Sequence, residues 1–271
     1  MTHTMAKELQ GEYLVAFATV ARDEKASDKI SEAIEANCPD IVFCSFIVLN
    51  PYVILEGKKR NLTVVIRNDY WLKDVPPCVK LRAKGTYHLA DQIIAQTEPL
   101  RKELLVEFAL DPKKVIVKEN PIDREGIEEG LRNAKSPYPD NGCKHYVWVG
   151  RFSPIKNIPF LLAAFKIVHK VDRKTELFLV GEPDDPKKYR QSGVHLVGFQ
   201  NNPYPWIKFS NSLILCSQSE ACPNVLLEAL YIGTKVIAPE ELLSGLAIRN
   251  RLAIPYQNGN ITSLVRMMLL Q

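Results

Sequence analysis

The chain predicts an α/β protein built on parallel sheets, and three observations carry that reading. Short apolar strands alternate with amphipathic helices along most of its 271 residues. Several of the strands end directly on glycine, at Gly150, Gly181 and Gly198. One polar, proline-rich stretch divides the alternation into two series. Strands alternating with helices favour βαβ units and Rossmann-like topology. A glycine at a strand end lets the backbone approach a ligand at the carboxyl edge of such a sheet.

In the first series a helix ends over 30–36, and strand 40–45 follows. A helix over 49–57 leads to strand 62–67. Strand 91–97 precedes a helix over 98–108, and strand 114–118 closes the series. The patternless segment 132–144 contains Ser136-Pro-Tyr-Pro-Asp-Asn-Gly142 and reads as a connection. In the second series, strand 146–149 ends at Gly150-Arg151 and a helix spans 158–171. Strand 176–180 ends at Gly181 and strand 194–197 ends at Gly198. Strand 213–216, a helix over 225–230 and strand 235–238 complete it. The expected organisation is a partial N-terminal domain over 1–135, a linker over 136–144 and a C-terminal domain over 145–271.

Composition bounds the function. With 46% hydrophobic and 24% charged residues the chain can build a core, which excludes a disordered class. No apolar run reaches the length of a membrane span, and the first ten residues lack a basic-then-apolar signal pattern. The expectation is a cytoplasmic protein, with peripheral contact at the cytoplasmic membrane face left open. A basic helix over 81–89, with Arg82, Lys84 and His88, is the candidate for that contact; an ordinary solvated helix is the plainer reading. The six cysteines form no CxxC pair, so neither a metal site nor a disulfide framework is expected; Cys44 and Cys216 read as small buried hydrophobes. The five histidines show no ligand spacing, and Asp184-Asp185, bracketed by prolines, reads as a solvated loop. Residues 1–140 carry net charge −2 and residues 141–271 carry +6, so the second half is the one expected to hold an anion. Basic residues interleaved with aromatics are lacking, which argues against a nucleic-acid partner.

The most informative run is Ser219-Glu-Ala-Cys-Pro-Asn-Val-Leu-Leu-Glu-Ala-Leu230. Pro223 suits the first turn of a helix propagated by Val225, Leu226 and Leu227. Glu220 then lies in the loop ahead of the helix, and Glu228 about a turn and a half inside it. A helix N-terminus presents unpaired N–H groups and partial positive charge, which suit a phosphate. Two carboxylates flanking it suit sugar hydroxyls. Arg151 offers a planar donor fork and Lys156 a point charge, within one short loop after a strand. An exposed Arg–Lys loop and a solvated loop carboxylate are the plain alternatives.

In their order, Val149-Gly-Arg-Phe152 with Lys156-Asn157, Leu179-Val-Gly181, Val197-Gly-Phe199 and Glu220-x7-Glu228 resemble glycosyltransferase family 4. The segments 90–98 and 119–123 resemble the end of that family's first domain. The resemblance covers roughly residues 35–245. It implies the GT-B fold, two Rossmann-like domains, with 1–135 on the acceptor side and 145–271 holding the donor. It implies transfer of a hexose-type sugar from an NDP-sugar, UDP- or GDP-linked, to a glycan or lipid-linked hydroxyl with retention. It implies no cofactor and no metal, since cationic side chains and helix dipoles take that role. Arg151, Lys156 and Glu220 are then the catalytic set. The donor would be held by Gly150, Gly181, Phe199, Pro223, Asn224, Val225, Leu226 and Glu228. Glu228 would take the ribose, and the backbone N–H groups of Asn224, Val225 and Leu226 the phosphates. The chain departs from the family pattern at both ends. Its first 35 residues lack the Gly-rich loop, Arg67-Asn68-Asp69 stands near where a His is usual, and Glu240–Gly245 replaces a Gly-Gly turn. The final long helices also have no room. A non-catalytic nucleotide-sugar-binding or partner-binding remnant is therefore the alternative function, and a GT-B epimerase is disfavoured for want of paired acids in the first domain.

Overall fold

The structure is a computed structural model that describes residues 26–244 and 251–271 and the single positions Ala16 and Leu246. The expectations about a Gly-rich loop before residue 26, and about Gly245, lie outside these residues. The chain forms two compact units: Met1–Pro121 with Glu220–Cys222, and Ile122–Ser219 with Pro223–Gln271.

The first unit runs α1 (Ala26–Asn37), β1 (Ile41–Cys44), α2 (Asn50–Lys59), β2 (Thr63–Asn68), α3 (Pro77–Thr86), β3 (Gln92–Ala95), α4 (Glu98–Phe108) and β4 (Val115–Val117). Its strands are all parallel, in the order β1-β2-β3-β4. The apolar face of β2, Val64 and Ile66, is buried with Ile54 of α2, Ile93 of β3, and Leu100 and Leu104 of α4. Burying each such side chain contributes about 1.5–3 kcal/mol. Helix α4 begins where the Thr97 hydroxyl accepts from the Leu100 N–H, and it stops at Ala109 in the left-handed conformation.

The second unit runs α5 (Arg124–Leu131), β5 (Lys144–Val149), α6 (Ile158–Val171), β6 (Thr175–Val180), β7 (Val194–Gly198), α7 (Tyr204–Lys208), β8 (Ser212–Ile214), α8 (Asn224–Ile232), β9 (Val236–Pro239), α9 (Glu240–Ser244), β10 (Ala253–Tyr256) and α10 (Ile261–Leu269). Its six parallel strands lie in the order β7-β6-β5-β8-β9-β10. The chain steps outward twice from β5, returns to the other side of β5, and steps outward again. This is the doubly wound order. Both faces of the sheet are covered: Tyr146 and Trp148 of β5 pack with α6 and α10, while Val147 packs with Leu213, Leu226 and Val236.

Three features differ from the sequence reading. The division falls at Pro121–Ile122, ahead of α5, because α5 packs on α7 and Asn202 donates to the Gly130 carbonyl at 2.6 Å. The stretch 136–144 is not a free linker: buried Tyr138 stacks on His145 at 4.6 Å and meets Phe178 edge-on at 4.8 Å. Beyond residue 239, where the sequence placed no element, the described residues form α9, β10 and α10. Asn260 caps α10 by accepting from the Ser263 N–H at 3.0 Å, and Leu264, Val265 and Met268 of α10 are buried. Cys216 is buried as expected, whereas Cys44 is only partly so, and all six cysteines are free thiols.

Gly181 carries the sharpest backbone constraint. Its φ is +146°, and a Cβ placed there would lie 2.0 Å from the carbonyl oxygen of Gly150. Neither backbone can yield, because Gly150 N–H donates to Val180 at 3.0 Å and Gly181 N–H donates to Gly198 at 2.9 Å. Gly181→Ala is expected to cost about 3 kcal/mol, at the upper end for a strained backbone position. The urea unfolding midpoint measures it, and an unchanged midpoint would refute the constraint.

Candidate functional site

In an open α/β sheet, ligands bind outside the carboxyl ends of the strands, at the point where strand order reverses. In the second unit that point lies between β5 and β8. The residues leaving β5 are Gly150 and Arg151, and those leaving β8 lead into α8.

The β5–α6 loop is fixed on both sides. Phe152 packs edge-on against Trp148 at 5.0 Å and Tyr189 at 4.8 Å. A short 3-10 turn over Pro154–Lys156 follows, and Asn157, with φ +51°, opens α6. From the β8 side, Gln218 N–H donates to the Ile155 carbonyl at 2.8 Å, and the Cys216 thiol donates to the Lys156 carbonyl at 3.0 Å. Burial leaves Arg151 exposed and Lys156 partly exposed at this edge. Two cations within six residues of one loop suit a doubly charged anion.

Pro223 is buried at the cap position of α8 with extended backbone. The N–H groups of Asn224 and Val225 have no carbonyl a full turn behind them within the helix, which is the arrangement that suits a phosphate. The Leu226 N–H, expected to join them, donates instead to the Pro223 carbonyl at 3.1 Å, because the helix opens with a tight turn. Glu228 follows one turn on and is half-buried. Burial raises its carboxyl above the ordinary value of 4.5. The Tyr204 phenol is raised too, first by burial and then by the carboxylates of Glu228 and Asp123.

Gly181 and Phe199 sit at the ends of β6 and β7. Phe199 is 68% exposed, and its N–H donates to Glu182 at 3.4 Å. Gly150, Arg151, Lys156, Gly181, Phe199 and the start of α8 therefore share the carboxyl edge of one sheet.

Glu220 does not share that unit. Residues 220–222 pack with the first unit, with Ala221 in its core. The Glu220 carbonyl accepts from the Trp71 indole N–H at 3.1 Å, and the Cys222 carbonyl accepts from the Asn120 amide at 3.1 Å. Burial pushes the Cys222 thiol up to about 12. Around them, fully buried Arg67 donates to Asp69 at 2.8 Å, to the Lys118 carbonyl at 3.0 Å and to Asn120 at 2.6 Å. Burial raises the Asp69 carboxyl, against the opposing pull of Arg67. Arg67, Asn68 and Asp69 are legible in the sequence as a polar strand end, whereas Trp71 and Gln96 are not; a tryptophan three residues past that strand end is the available signal for the first.

Asp184 is occupied locally, accepting from Lys188 at 2.8 Å and Tyr189 at 2.7 Å. The Lys188 bond is the main reason that its carboxyl falls to about 2. Among the described residues no three His, Cys, Asp or Glu side chains gather where a metal could sit, and no helix is long and apolar enough to cross a membrane.

Residues 143–260 match the family model described as "Glycosyl transferases group 1". An uncharacterized glycosyltransferase of Methanocaldococcus jannaschii is 29% identical over 199 residues, covering 65% of this chain and 48% of that protein. The N-acetylgalactosamine-N,N'-diacetylbacillosaminyl-diphospho-undecaprenol 4-alpha-N-acetylgalactosaminyltransferase of Campylobacter jejuni is 27% identical over 161 residues, covering 57% and 42%. The chain thus spans less than half the length of these curated relatives. The crystal structure of Anabaena HepE in complex with UDP and glucose superposes with a TM-score of 0.75 at 14% identity, covering 98% of this chain and 78% of that one. The chain therefore has an α/β, GT-B-type fold of two Rossmann-like parallel sheets, and its residues 143–260 carry the signature of group 1 glycosyl transferases.

Proposed function

We propose that the protein is a glycosyltransferase that moves a hexose-type sugar from a nucleotide diphosphate to a hydroxyl of a glycan or lipid-linked acceptor, with retention. One observation carries the reading: Arg151, Lys156 and the start of α8 share the edge of the second sheet where its strand order reverses. A nucleotide diphosphate-sugar concentrates negative charge beside the bond that breaks. Arg151 and Lys156 neutralise the two phosphates, and the first turn of α8 adds partial positive charge as the diphosphate leaves. These groups take the place of a metal ion. Glu228 accepts from the ribose hydroxyls, and the Gly181 and Phe199 edge meets the base. The acceptor proton passes to the departing diphosphate oxygen on the same face, which preserves the anomeric configuration.

A UDP-linked donor is the first to test, because the Anabaena structure was solved with UDP and glucose. A lipid-linked acceptor is supported by the name of the Campylobacter relative, whose acceptor is a diphospho-undecaprenol glycan. Calorimetric titration with UDP-, GDP- and ADP-sugars tests the donor site; binding to none of them overturns it. Binding without turnover on any hydroxyl acceptor would favour the non-catalytic alternative.

Lys156→Ala is expected to lower turnover about 10²-fold or more, the scale of removing one charge-stabilising donor. Retained turnover would remove Lys156 from the mechanism. Glu228→Gln separates stability from binding. Because burial raises the Glu228 pKa, the penalty is absent at low pH, where folded and unfolded carboxyls are both protonated. It grows as pH rises through the unfolded value of 4.5 and is complete above the folded value. Glu228→Gln is therefore expected to raise the urea midpoint at pH 7, with a gain that fades toward pH 4. The same change should weaken donor binding about 10-fold or more through loss of a charged acceptor. A lower midpoint at pH 7 would contradict the assignment.

A further inference from the structure

We propose that Glu182 selects the base of the donor nucleotide, and that the base it selects is guanine. The inference rests on the donor-site reading above, and every residue in it belongs to the second unit.

Glu182 follows Gly181 at the end of β6. The next two acids of the same connection are spent within their own loop. Asp184 accepts from Lys188 and Tyr189, and Asp185 accepts from the Lys187 N–H at 3.0 Å. Glu182 instead reaches across to the end of β7, where its Oε2 accepts from the Phe199 N–H at 3.4 Å. The same oxygen lies 3.9 Å from where a Cβ of Gly198 would stand, so the carboxylate lies beside the Gly198–Phe199 peptide. Glu182 and Phe199 are both exposed, and a base seated at this edge meets them.

The backbone donors of the edge are already in use. Gly150 N–H donates to the Val180 carbonyl at 3.0 Å, Gly181 N–H to the Gly198 carbonyl at 2.9 Å, and Phe199 N–H to Glu182. What the edge offers a base is therefore an acceptor. A carboxylate has no hydrogen to give, and its two oxygens hold lone pairs for several bonds at once.

The bases differ in what they bring to such a group. Guanine carries two adjacent donors, N1–H and the N2 amino group, spaced for the two oxygens of one carboxylate. Uracil carries one donor, N3–H, between two carbonyl oxygens that a carboxylate repels. Adenine and cytosine set a donor beside a bare ring nitrogen. The Phe199 ring, 68% exposed, offers a stacking face that every base accepts. Stacking thus holds the base without choosing it, and the choice falls to Glu182. A mismatched base leaves the carboxylate facing lone pairs, so discrimination comes from the cost of the wrong partner as well as the bonds of the right one.

The test titrates the full chain by calorimetry with GDP, IDP, UDP and ADP, as wild type and as Glu182→Gln. IDP keeps the N1–H of guanine and lacks its N2 amino group. Wild type is expected to bind GDP about 10-fold or more tightly than UDP or ADP, with IDP between them, the scale of bonds to a charged group. Glu182→Gln is expected to weaken GDP about 10-fold and to leave UDP within about 2-fold, because uracil has no such bond to lose. The side chain is exposed, so the urea midpoint of the variant should match wild type, which separates lost recognition from lost folding. UDP, ADP or IDP bound as tightly as GDP, or a guanine preference that survives Glu182→Gln, would overturn the assignment and leave the donor site standing. A wild type that binds none of the four would remove the donor reading, and this inference with it.

Discussion

The structure depends on parallel strand pairing. A parallel ladder sends every strand the same way, so each strand of a sheet delivers its following loop to one edge. In the second unit β5 is the hub: it pairs with β6 on one side and β8 on the other, and its side chains are buried on both faces. Because the chain leaves β5 in one direction and later returns to its other side, the loops after β5 and β8 become neighbours. Their mutual bonds, from Gln218 to Ile155 and from Cys216 to Lys156, follow from that order. The place of Lys156 is thus set by topology before any local preference acts.

The same edge explains the glycines. Backbone groups at the ends of β5, β6 and β7 must bond to one another once the regular ladder stops. The bonds from Gly150 to Val180 and from Gly181 to Gly198 do this, and they bring the chains too close for a Cβ at Gly181. Charge is disposed differently in the two units. Arg151 stays exposed and Lys156 partly so, where they can meet an anion. Arg67 is fully buried and spends its donors on Asp69, Lys118 and Asn120. Burying a guanidinium is costly unless it is paired, so Arg67 acts within the protein as a brace for its neighbours.

Much of this was legible in the sequence where one local signal sufficed. The runs around Val64–Ile66, Tyr146–Val149 and Leu177–Val180 are apolar enough to be strands, and the apolar faces of α4 and α6 fix them as helices. The reading failed where local and tertiary signals disagree. The stretch around Tyr138 has the prolines and polar residues of a linker, yet its aromatic ring finds His145, Phe178 and Trp206, whose partnership no local pattern records. The residues before α5 carried a usable sign, since the Asp123 carboxylate accepts from the Gly126 N–H as a helix cap. Likewise β10 is obscured because Pro255 sits within the strand, which is tolerated at an edge.

The Glu220-x7-Glu228 run shows both what the sequence reveals and what it does not. Pro223 already marks the helix start, which leaves Glu220 in the loop and Glu228 on the helix. The helix begins only at Asn224, so Glu228 alone rides on it. The intervening residues measure a loop that leaves the second unit at Ser219 and rejoins it at Pro223. Glu228 is therefore placed by local forces, the turn at Pro223 and the buried face of α8. Glu220 is placed by bonds spanning more than a hundred residues of sequence, from Trp71 and Asn120. The two carboxylates, close in sequence, are thus held by different forces: Glu220 by long-range bonds of the first unit, and Glu228 by the helix that brings it near Tyr204.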